Sequence, residues 1–272
     1  MNNCLPPVNF SFDGKHCYHD FGMVWIFSQR PASPAQQDPG IAIGGMSGTV
    51  RFESDEDEPV YLPMKWSGVL CPMTEPPSQK DAWQRWHEIT DWLRAGRREL
   101  ILDSEPDRRY MAEVLEEIEW DESNWDEGEL RVTFLIQPYA EDAKEKRLIS
   151  NLTASGEMDL VLQGNRNSPV SFEIQNSSYS AYLTGVHITV GNREVQLSGM
   201  KVGYGGAWVI NMEPPIGAEI VSRTAGTYNA LPYADRFDYL RGKGHVVAQV
   251  VLTYDASGGA VTVTMTGRGR YV

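Results

Sequence analysis

The sequence predicts a mainly β protein made of an α+β N-terminal domain and an all-β C-terminal domain. Short alternating apolar segments, separated by Gly, Pro, Asn and Ser, run through most of the 272 residues. One segment has clear helical periodicity. Beyond residue 150 the composition shifts to Val, Thr, Ser, Gly and Asn, as in β-sandwiches or jelly rolls. We therefore place the domains at 1–150 and 151–272.

The chain opens with a predicted β-hairpin. Val8–Phe12 alternates and runs into Asp13-Gly14, the strongest short hairpin signal. Phe21–Phe27 is predicted as the return strand. A proline-rich loop at 29–40, an extended segment and the acidic run Glu53–Glu58 follow, and together they predict a protruding arm at about 29–60. The alternative is an ordinary solvated surface loop, which is what most charged runs form.

One convincing helix is predicted from Ser78 to Ala95. Ser78 is a good N-cap, Asp81 suits the first turn, and Gly96 ends the helix. Three arginines lie at its negative end: Arg94, Arg97 and Arg98. Four residues at three- and four-residue steps predict the buried stripe: Trp83, Trp86, Ile89 and Leu93.

Three further strands complete the first domain. Glu99–Asp103 is the first, and the second has a pattern that slips at Leu115, which predicts a bulge there. The inward face of the second strand is predicted to hold Tyr110, Ala112 and Val114. The inward face of the third is predicted to hold Val132, Phe134 and Ile136. The intervening 116–129 segment is too acidic to be buried and predicts a hairpin tip.

Eight short strands are predicted after residue 150. They are Leu160–Leu162, Val170–Ile174, Tyr182–Val190, Val195–Ser198, Trp208–Met212, Glu219–Val221, Val246–Tyr254 and Ala260–Thr266. The last two are predicted to form a hairpin that turns at Ser257-Gly258-Gly259.

Charge and composition exclude several classes of function. Residues 1–150 hold 15 Lys and Arg against 28 Asp and Glu, a net charge of −13, and residues 151–272 are neutral with nine of each. Such a surface disfavours DNA binding. The N-terminus lacks the pattern of a secretory signal, and no apolar run is long enough to span a membrane.

No catalytic or cofactor site is predicted. The chain lacks GxSxG, HExxH and GxxxxGK, and three cysteines without CxxC spacing favour neither disulfides nor zinc. The sharpest metal candidate is the cluster of His16, Cys17 and His19. No second ligand group could complete four-coordination there, so we interpret the cluster as a polar hairpin tip. We expect no cofactor, no metal and no enzymatic activity.

Four stretches, in this order, resemble the distal tail proteins of long-tailed, non-contractile phages (siphoviruses). "FSFDGKHCYHDFGMVW" is similar to the family's opening strand, Asp-Gly-like turn and D-F-G segment. An I-x-G-x-x-G element follows at 43–48, then the helix ending in Trp92-Leu93 with "LILDSEPDRRYMAEV", and "VTFLIQPYA". Similarity is loose beyond residue 140 and ends at "GRGRYV". The positions that carry the resemblance are Phe12, Asp13, Gly14, Asp20, Phe21, Gly22, Gly44, Gly48, Trp92, Leu93, Asp103, Pro106, Asp107, Tyr110, Ala112, Phe134, Pro138 and Tyr139.

The resemblance implies a split β-barrel with one helix, which assembles into a hexameric ring, followed by a galectin-like β-sandwich. It implies a structural virion protein at the distal end of the tail or baseplate, made in the host cytoplasm. Its implied partners are itself, the tail tube protein, the tail-tip hub protein and receptor-binding proteins. DNA would pass through the ring without being bound. Within this frame Gly14 is expected to allow positive φ, and Gly22 a bulge or a close backbone approach.

Two other functions stay open on the sequence alone. The β-sandwich could bind a host-surface saccharide, for which exposed aromatic residues would have to form a platform. The candidates are Tyr179, Tyr182, Trp208 and Tyr228. The second is an enzyme that acts on cell-wall glycan.

Overall fold

The computed structural model describes residues 8–37, 40–42, 49–51, 59–120, 128–213, 216–222 and 226–272. The chain divides into two compact units, Met1–Ala143 with Val272, and Lys144–Tyr271. The predicted boundary after residue 150 lies inside the strand Lys146–Leu152, which belongs to the second unit. Strands dominate, and the described residues contain one α-helix, which confirms the mainly β fold class.

The first unit is a curled antiparallel sheet with the helix. Its elements are β1 Phe10–Phe12, β2 Lys15–His16, β3 Met23–Gln29, β4 Gly40–Ala42, β5 Thr49–Arg51, β6 Met64–Pro72, α1 Gln79–Leu93, β7 Arg98–Leu102, β8 Arg108–Glu113, β9 Glu119–Trp120 and β10 Leu130–Asp142. The strands are ordered β2-β1-β7-β8-β10-β6-β3, with β9 paired to β10 and a separate β4–β5 hairpin. The Val8 amide donates to the Trp25 carbonyl at 3.1 Å, so the chain ahead of β1 lies beside β3.

The strand predicted as the return of the first hairpin pairs elsewhere. The hairpin itself is made by the two-residue β2, which pairs with β1. After a turn at Cys17–Phe21 the chain enters β3, whose partner is β6. The prediction that Phe21–Phe27 returns along the first strand is therefore wrong. The residues of the turn determine that β1 pairs with β2, the next segment of the chain. The pairing of β3 with β6 depends instead on burying the apolar face of β3 in the core.

Helix α1 begins where the sequence predicts and ends at Leu93, two residues before the predicted end at Ala95. The Ser78 hydroxyl accepts from the Asp81 amide at 3.2 Å, and Gly96 has φ of 82° after the last turn. The buried residues of the helix are Ala82, Trp86, Ile89, Trp92 and Leu93. Trp83 was predicted in this stripe but is 38% exposed, because it lies at the edge of the stripe against Trp120, with ring centroids 4.8 Å apart.

The arginines that follow the helix bond to strands and turns. Arg94 donates to the carbonyls of Val114, Leu115 and Glu116 at 2.9–3.3 Å. Arg97 pairs with Glu113, and Arg98 pairs with Asp13. The three side chains therefore tie the end of the helix to neighbouring elements.

The bulge lies on β10. Between Ile136 and Ala140 four steps on β10 match two steps on β8, so two extra residues lie within the segment Gln137, Pro138 and Tyr139. Leu115 is exposed because β8 has already ended at Glu113, so the bulge predicted there is wrong. The predicted inward faces of β8 and β10 are confirmed, since both sets of residues are buried.

The second unit is a two-sheet sandwich. Its strands are β11 Lys146–Leu152, β12 Ser155–Leu162, β13 Ser168–Asn176, β14 Leu183–Val190, β15 Arg193–Val202, β16 Ala207–Asn211, β17 Gly217–Ser222, β18 Gly226–Asn229, β19 Ala234–Phe237, β20 Arg241–Gly242, β21 Gly244–Tyr254, β22 Val261–Gly267 and β23 Arg270–Tyr271, with a 3-10 turn at Leu231–Tyr233. One sheet runs β11-β22-β13-β16-β17-β18 with β20 beside β13, and the other β12-β21-β14-β15-β19. All eight predicted strands are present.

The last two long strands lie in different sheets. β21 pairs with β12 and β14, and β22 pairs with β11 and β13, so the predicted terminal hairpin is wrong. Alternate residues of both strands, such as Val250 and Val263, are buried in one core. The connection through Gly258 crosses from one sheet to the other, which buries both apolar faces between the sheets. No helix in the described part of the chain is long and apolar enough to cross a membrane.

Candidate functional site

The first candidate site is the turn between β1 and β2. Asp13 and Gly14 both have positive φ, at 51° and 75°, as a two-residue type I′ turn requires. Asp13 is the one non-glycine residue with positive φ among the described residues, and it pairs with Arg98 at 3.2 Å. The hairpin turn and the expected role of Gly14 are confirmed.

His16 holds the following turn together. Its Nδ1 accepts from the backbone amides of Tyr18 and His19, each at 3.1 Å. Its Nε2 lies 3.1 Å from a carboxylate oxygen of Asp103, so the neutral ring carries its proton on Nε2 and donates it there. The His16 amide donates to the Asp20 carboxylate at 2.6 Å. His16 therefore uses both ring nitrogens to fix local structure.

The neighbouring cysteine points into the core and not to a shared metal position. Cys17 is fully buried, and its Sγ accepts from the Phe10 amide at 3.3 Å. Burial raises the pKa of the Cys17 thiol to about 11. The interpretation of this residue as part of a polar tip is wrong. Across the described ranges no group of three or more His, Cys, Asp or Glu side chains is placed to hold a metal ion.

Three positions of the family motif meet at the end of the helix. The Trp92 indole donates to the Phe12 carbonyl at 2.7 Å, in a buried position. The ring of Phe21 stacks on Trp92 with centroids 4.5 Å apart. The Phe12 ring meets the same indole edge-on. The helix is thereby fastened to the N-terminal hairpin.

The other motif positions are spread over the first unit. Gly22 has φ of 64° with open space where a Cβ would lie, so its conformation needs glycine and the expected close approach is absent. Leu93, Tyr110, Ala112 and Phe134 are buried, Pro106 and Asp107 lie between β7 and β8, and Pro138 and Tyr139 lie at the β10 bulge. Gly44, Gly48 and the run Glu53–Glu58 lie outside the described residues.

A polar network anchors the chain where it leaves β3. Arg30 donates to Glu105 at 2.7 Å and lies over the Trp66 ring, 4.5 Å from its centroid. Tyr110 donates to the other oxygen of Glu105 at 2.5 Å. Burial acts to raise the pKa of Glu105, but the bonds from Tyr110 and Arg30 outweigh it, so this pKa lies below its usual value. Burial, then the bond to Glu105, raises the pKa of Tyr110 to about 12.

Beyond Arg30 the chain forms the root of the predicted arm. Gln36 pairs with Tyr61, and amide-to-carbonyl bonds of 2.7–2.8 Å join Gln37 to Val60 and Leu62 to Ala35. Val60 and Leu62 are 53% and 43% exposed. Because β3 and β6 pair with each other, this ladder continues their hairpin, and β4–β5 lies farther along the same connection.

The second candidate site lies in the sandwich, where aromatic side chains reach the surface. Tyr179 is 84% exposed and stacks on Tyr204, with centroids 3.7 Å apart and planes 21° apart. Tyr182 is half exposed, and Tyr228 lies on β18, another edge of the fold. Trp208 is fully buried, so its inclusion among platform candidates is wrong. Tyr204 was missed, although its Gly-Tyr-Gly-Gly context is typical of an exposed loop.

A groove of about 380 Å³ also crosses the outer face of the sheet that contains β13. Carboxylates of Glu145, Glu173 and Glu219 lie along it with Arg147. Small polar side chains, among them Ser171, form its floor. No aromatic ring is exposed in it, since the one aromatic residue of its lining, Phe172, is buried in the core. The tyrosine cluster is therefore the stronger ligand candidate.

Comparison with known proteins finds likeness in structure alone. No protein-family model and no curated protein sequence matches the chain. The crystal structure of SPP1 Dit (gp 19.1) protein, described as a paradigm of the hub adsorption apparatus in phages that infect Gram-positive bacteria, matches with a TM-score of 0.64 and 14% identity, over 97% of this chain and 99% of that one. Chains of the phage p2 baseplate in its activated conformation, with Sr and with Ca, match with TM-scores of 0.55 and 0.51, each at 9% identity over 95% of this chain and 97% of theirs. The resemblance seen in the sequence motifs is thus confirmed at the level of the fold.

Proposed function

We propose that this chain is a structural protein of the distal end of a phage tail and has no catalytic role. The observation that carries the proposal is the likeness to SPP1 Dit, which extends over almost the whole of both chains. That protein is described as part of a hub adsorption apparatus, and the other neighbours belong to a baseplate. The chain would form a hexameric ring through residues 1–150, and the sandwich at 151–272 would lie at the ring's periphery. The ring would join the tail tube protein to the tail-tip hub protein and to receptor-binding proteins.

The arm supports a role in self-association. Its root is held by a backbone ladder and by the Arg30–Glu105 pair. It nevertheless presents the apolar side chains of Val60 and Leu62 to solvent. A partner that covers both side chains would gain the free energy of burying their apolar surface. A neighbouring copy of the chain is the partner we propose for it.

The charge of the first unit suits a conduit for DNA. Met1–Ala143 holds 12 Lys and Arg against 27 Asp and Glu, a net charge of −15. A lumen with this sign repels phosphates, and DNA would cross it without being retained.

The ring is tested by shortening the arm at a position that the structure defines. Replacing residues 38–59 with Asn-Gly leaves Gln37 and Val60 on either side of a two-residue turn, in their present register, and Val60→Ser with Leu62→Ser in the same variant removes the exposed apolar side chains of the root. We expect the unaltered chain at high concentration to show the mass of six copies by light scattering, and rings in negative-stain images. The shortened chain should be a folded monomer with an unchanged circular dichroism spectrum.

Tyr179→Ala, in the other unit, serves as the control and should form rings like the unaltered chain. Rings that persist after the arm is shortened would contradict the role of the arm. An unaltered chain that stays monomeric at high concentration, and also when mixed with the tail tube protein, would contradict ring formation itself.

A further inference from the structure

Three loops meet at one end of the sandwich in the second unit. They are residues 177–182 between β13 and β14, 203–206 between β15 and β16, and 255–260 between β21 and β22. The first two are joined through Asn176, and the first and third by the Ser178 hydroxyl, which donates to the Gly258 carbonyl at 2.9 Å. The end of the fold is therefore one connected surface.

Asn176 fixes the first two loops from below. It is 1% exposed, and its amide nitrogen donates to the carbonyls of Ala181 and Val202 at 2.9 and 2.7 Å. Its amide oxygen accepts from the Ser178 amide at 2.8 Å. Its backbone amide donates to Gly206. Because a buried amide is tolerated when its bonds are made, these contacts specify one loop arrangement.

The ordered loops hold tyrosine rings at the surface. Tyr179 and Tyr204 stack on each other, and the outer side of Tyr179 faces solvent. Beside the stack lies a hollow of about 280 Å³, lined by Gln175, Asn176, Ser177, Tyr204 and Gly205. Of the two stacked rings Tyr204 lines this hollow, next to amide, hydroxyl and backbone groups, and Tyr179 packs on Tyr204.

The described charges around this surface are balanced. Lys201 pairs with Asp255 at 2.9 Å, and its ammonium lies 5.8 Å from the Tyr182 ring centroid. The hollow itself is lined by neutral residues. Among the residues that the structure describes around this surface, no excess of cations is present to hold a polyanion. An amphipathic helix needs a long apolar groove, which a polar hollow beside one aromatic stack does not provide.

We propose that the Tyr179–Tyr204 stack and the hollow beside it bind a neutral saccharide. The C–H face of a pyranose ring packs well on the electron-rich face of an aromatic ring. Its hydroxyl or acetamido groups match the Gln175 and Ser177 side chains that line the hollow. This site adds a ligand to the proposed assembly role and does not depend on it.

Isothermal titration calorimetry measures the binding of neutral tetrasaccharides to the full-length chain. The tetrasaccharides are those of glucose, galactose, rhamnose and N-acetylglucosamine. At least one should bind the unaltered chain. Tyr179→Ala should raise its Kd by about tenfold or more, since an aromatic anchor is lost. Tyr179→Phe should keep the affinity, because the stacking ring remains. The control is Tyr233→Ala, which removes another surface tyrosine, 39% exposed, from the 3-10 turn.

Three results would overturn the proposal. One is the absence of binding by every tetrasaccharide at millimolar concentration. The second is equal affinity in the unaltered chain and Tyr179→Ala, which would place the saccharide elsewhere. The third is binding of a proline-rich decapeptide at Tyr179 in place of the saccharides, which would assign the stack to protein recognition. The same variants are imaged for rings, so that a failure of this site and a failure of assembly are seen separately.

Discussion

Replacing Trp92 with Phe tests whether the helix is fastened to the N-terminal hairpin as the structure shows. The change removes the indole donor to the Phe12 carbonyl, a buried bond of 2.7 Å. A typical net value for one such bond is about 1 kcal/mol. It also deletes three heavy atoms from a site that is 5% exposed, which costs roughly another 1–2 kcal/mol through lost burial and a small cavity. We expect the first unit to lose about 2–3 kcal/mol of stability.

Trp83→Phe on the same helix is the matched control. Trp83 is 38% exposed and contacts Trp120 at the edge of the stripe. Because the same atoms leave a site that is already partly hydrated, the loss should stay below about 1 kcal/mol.

Urea unfolding followed by tryptophan fluorescence measures both variants. Seven of the eight tryptophans precede residue 144, so the signal reports mainly on the first unit. A two-state fit applies only if this transition is resolved from that of the second unit. Equal losses in the two variants, or a loss below about 1 kcal/mol for Trp92→Phe, would refute the reasoning from the buried bond.

Three further predictions concern charge and titration. Glu105→Gln should cost about 1–2 kcal/mol at pH 7, the value of charge-assisted bonds. The folded-state pKa of Glu105 lies below its usual 4.5, so this stabilisation is complete above that pH and is lost as the pH falls through the folded value. Urea titrations should therefore show a smaller difference at pH 3.5, and a difference independent of pH would count against the network. In a Cys4→Ser chain at pH 8, Cys71 should react with iodoacetamide before Cys17, which is buried and whose pKa is raised to about 11. Peptide mass spectrometry measures the order, and the reverse order would contradict the core position of Cys17. Fluorescence anisotropy should detect no duplex DNA binding at about 150 mM salt, and micromolar affinity would contradict the conduit.

Features set by neighbouring residues were predictable from the sequence. Asp13-Gly14 requires two positive φ values, and Ser78 with Gly96 defines a helix between them. Each of these rules acts over a few residues, so one stretch of sequence contains all the information needed.

The pairing of strands that are distant in the sequence was not predictable. Val246–Tyr254 and Val261–Gly267 both alternate, but alternation does not say which sheet a strand joins. The same limit applies to β3, which left the first hairpin for β6. Alternation and turn residues suggested a local hairpin in both cases. In the structure the second strand of each predicted hairpin pairs with other strands, because its apolar face is buried there.

Only part of the candidate binding surface was predictable from the sequence. Tyr179 and Tyr182 were named as candidates for an aromatic platform and are exposed, but Trp208 was named with them and is buried. The partner of the stack, Tyr204, is 25 residues away, and the residue that brings the two loops together is the buried Asn176. Polarity in a sequence marks a residue as exposed by default, so a buried asparagine that organises a site has no distinguishing local pattern.

The charge of the first unit restricts how a ring could be held together. Each copy brings a net charge of −15 in Met1–Ala143, so adjacent copies repel one another over the Debye length. The attraction must then come from contacts of short range, such as burial of Val60 and Leu62 at the root of the arm. Salt screens the repulsion and leaves apolar burial intact, so assembly should strengthen as the salt concentration rises. A ring held by complementary charges would weaken under the same change, and the sign of the salt effect therefore separates an apolar arm contact from an ionic one.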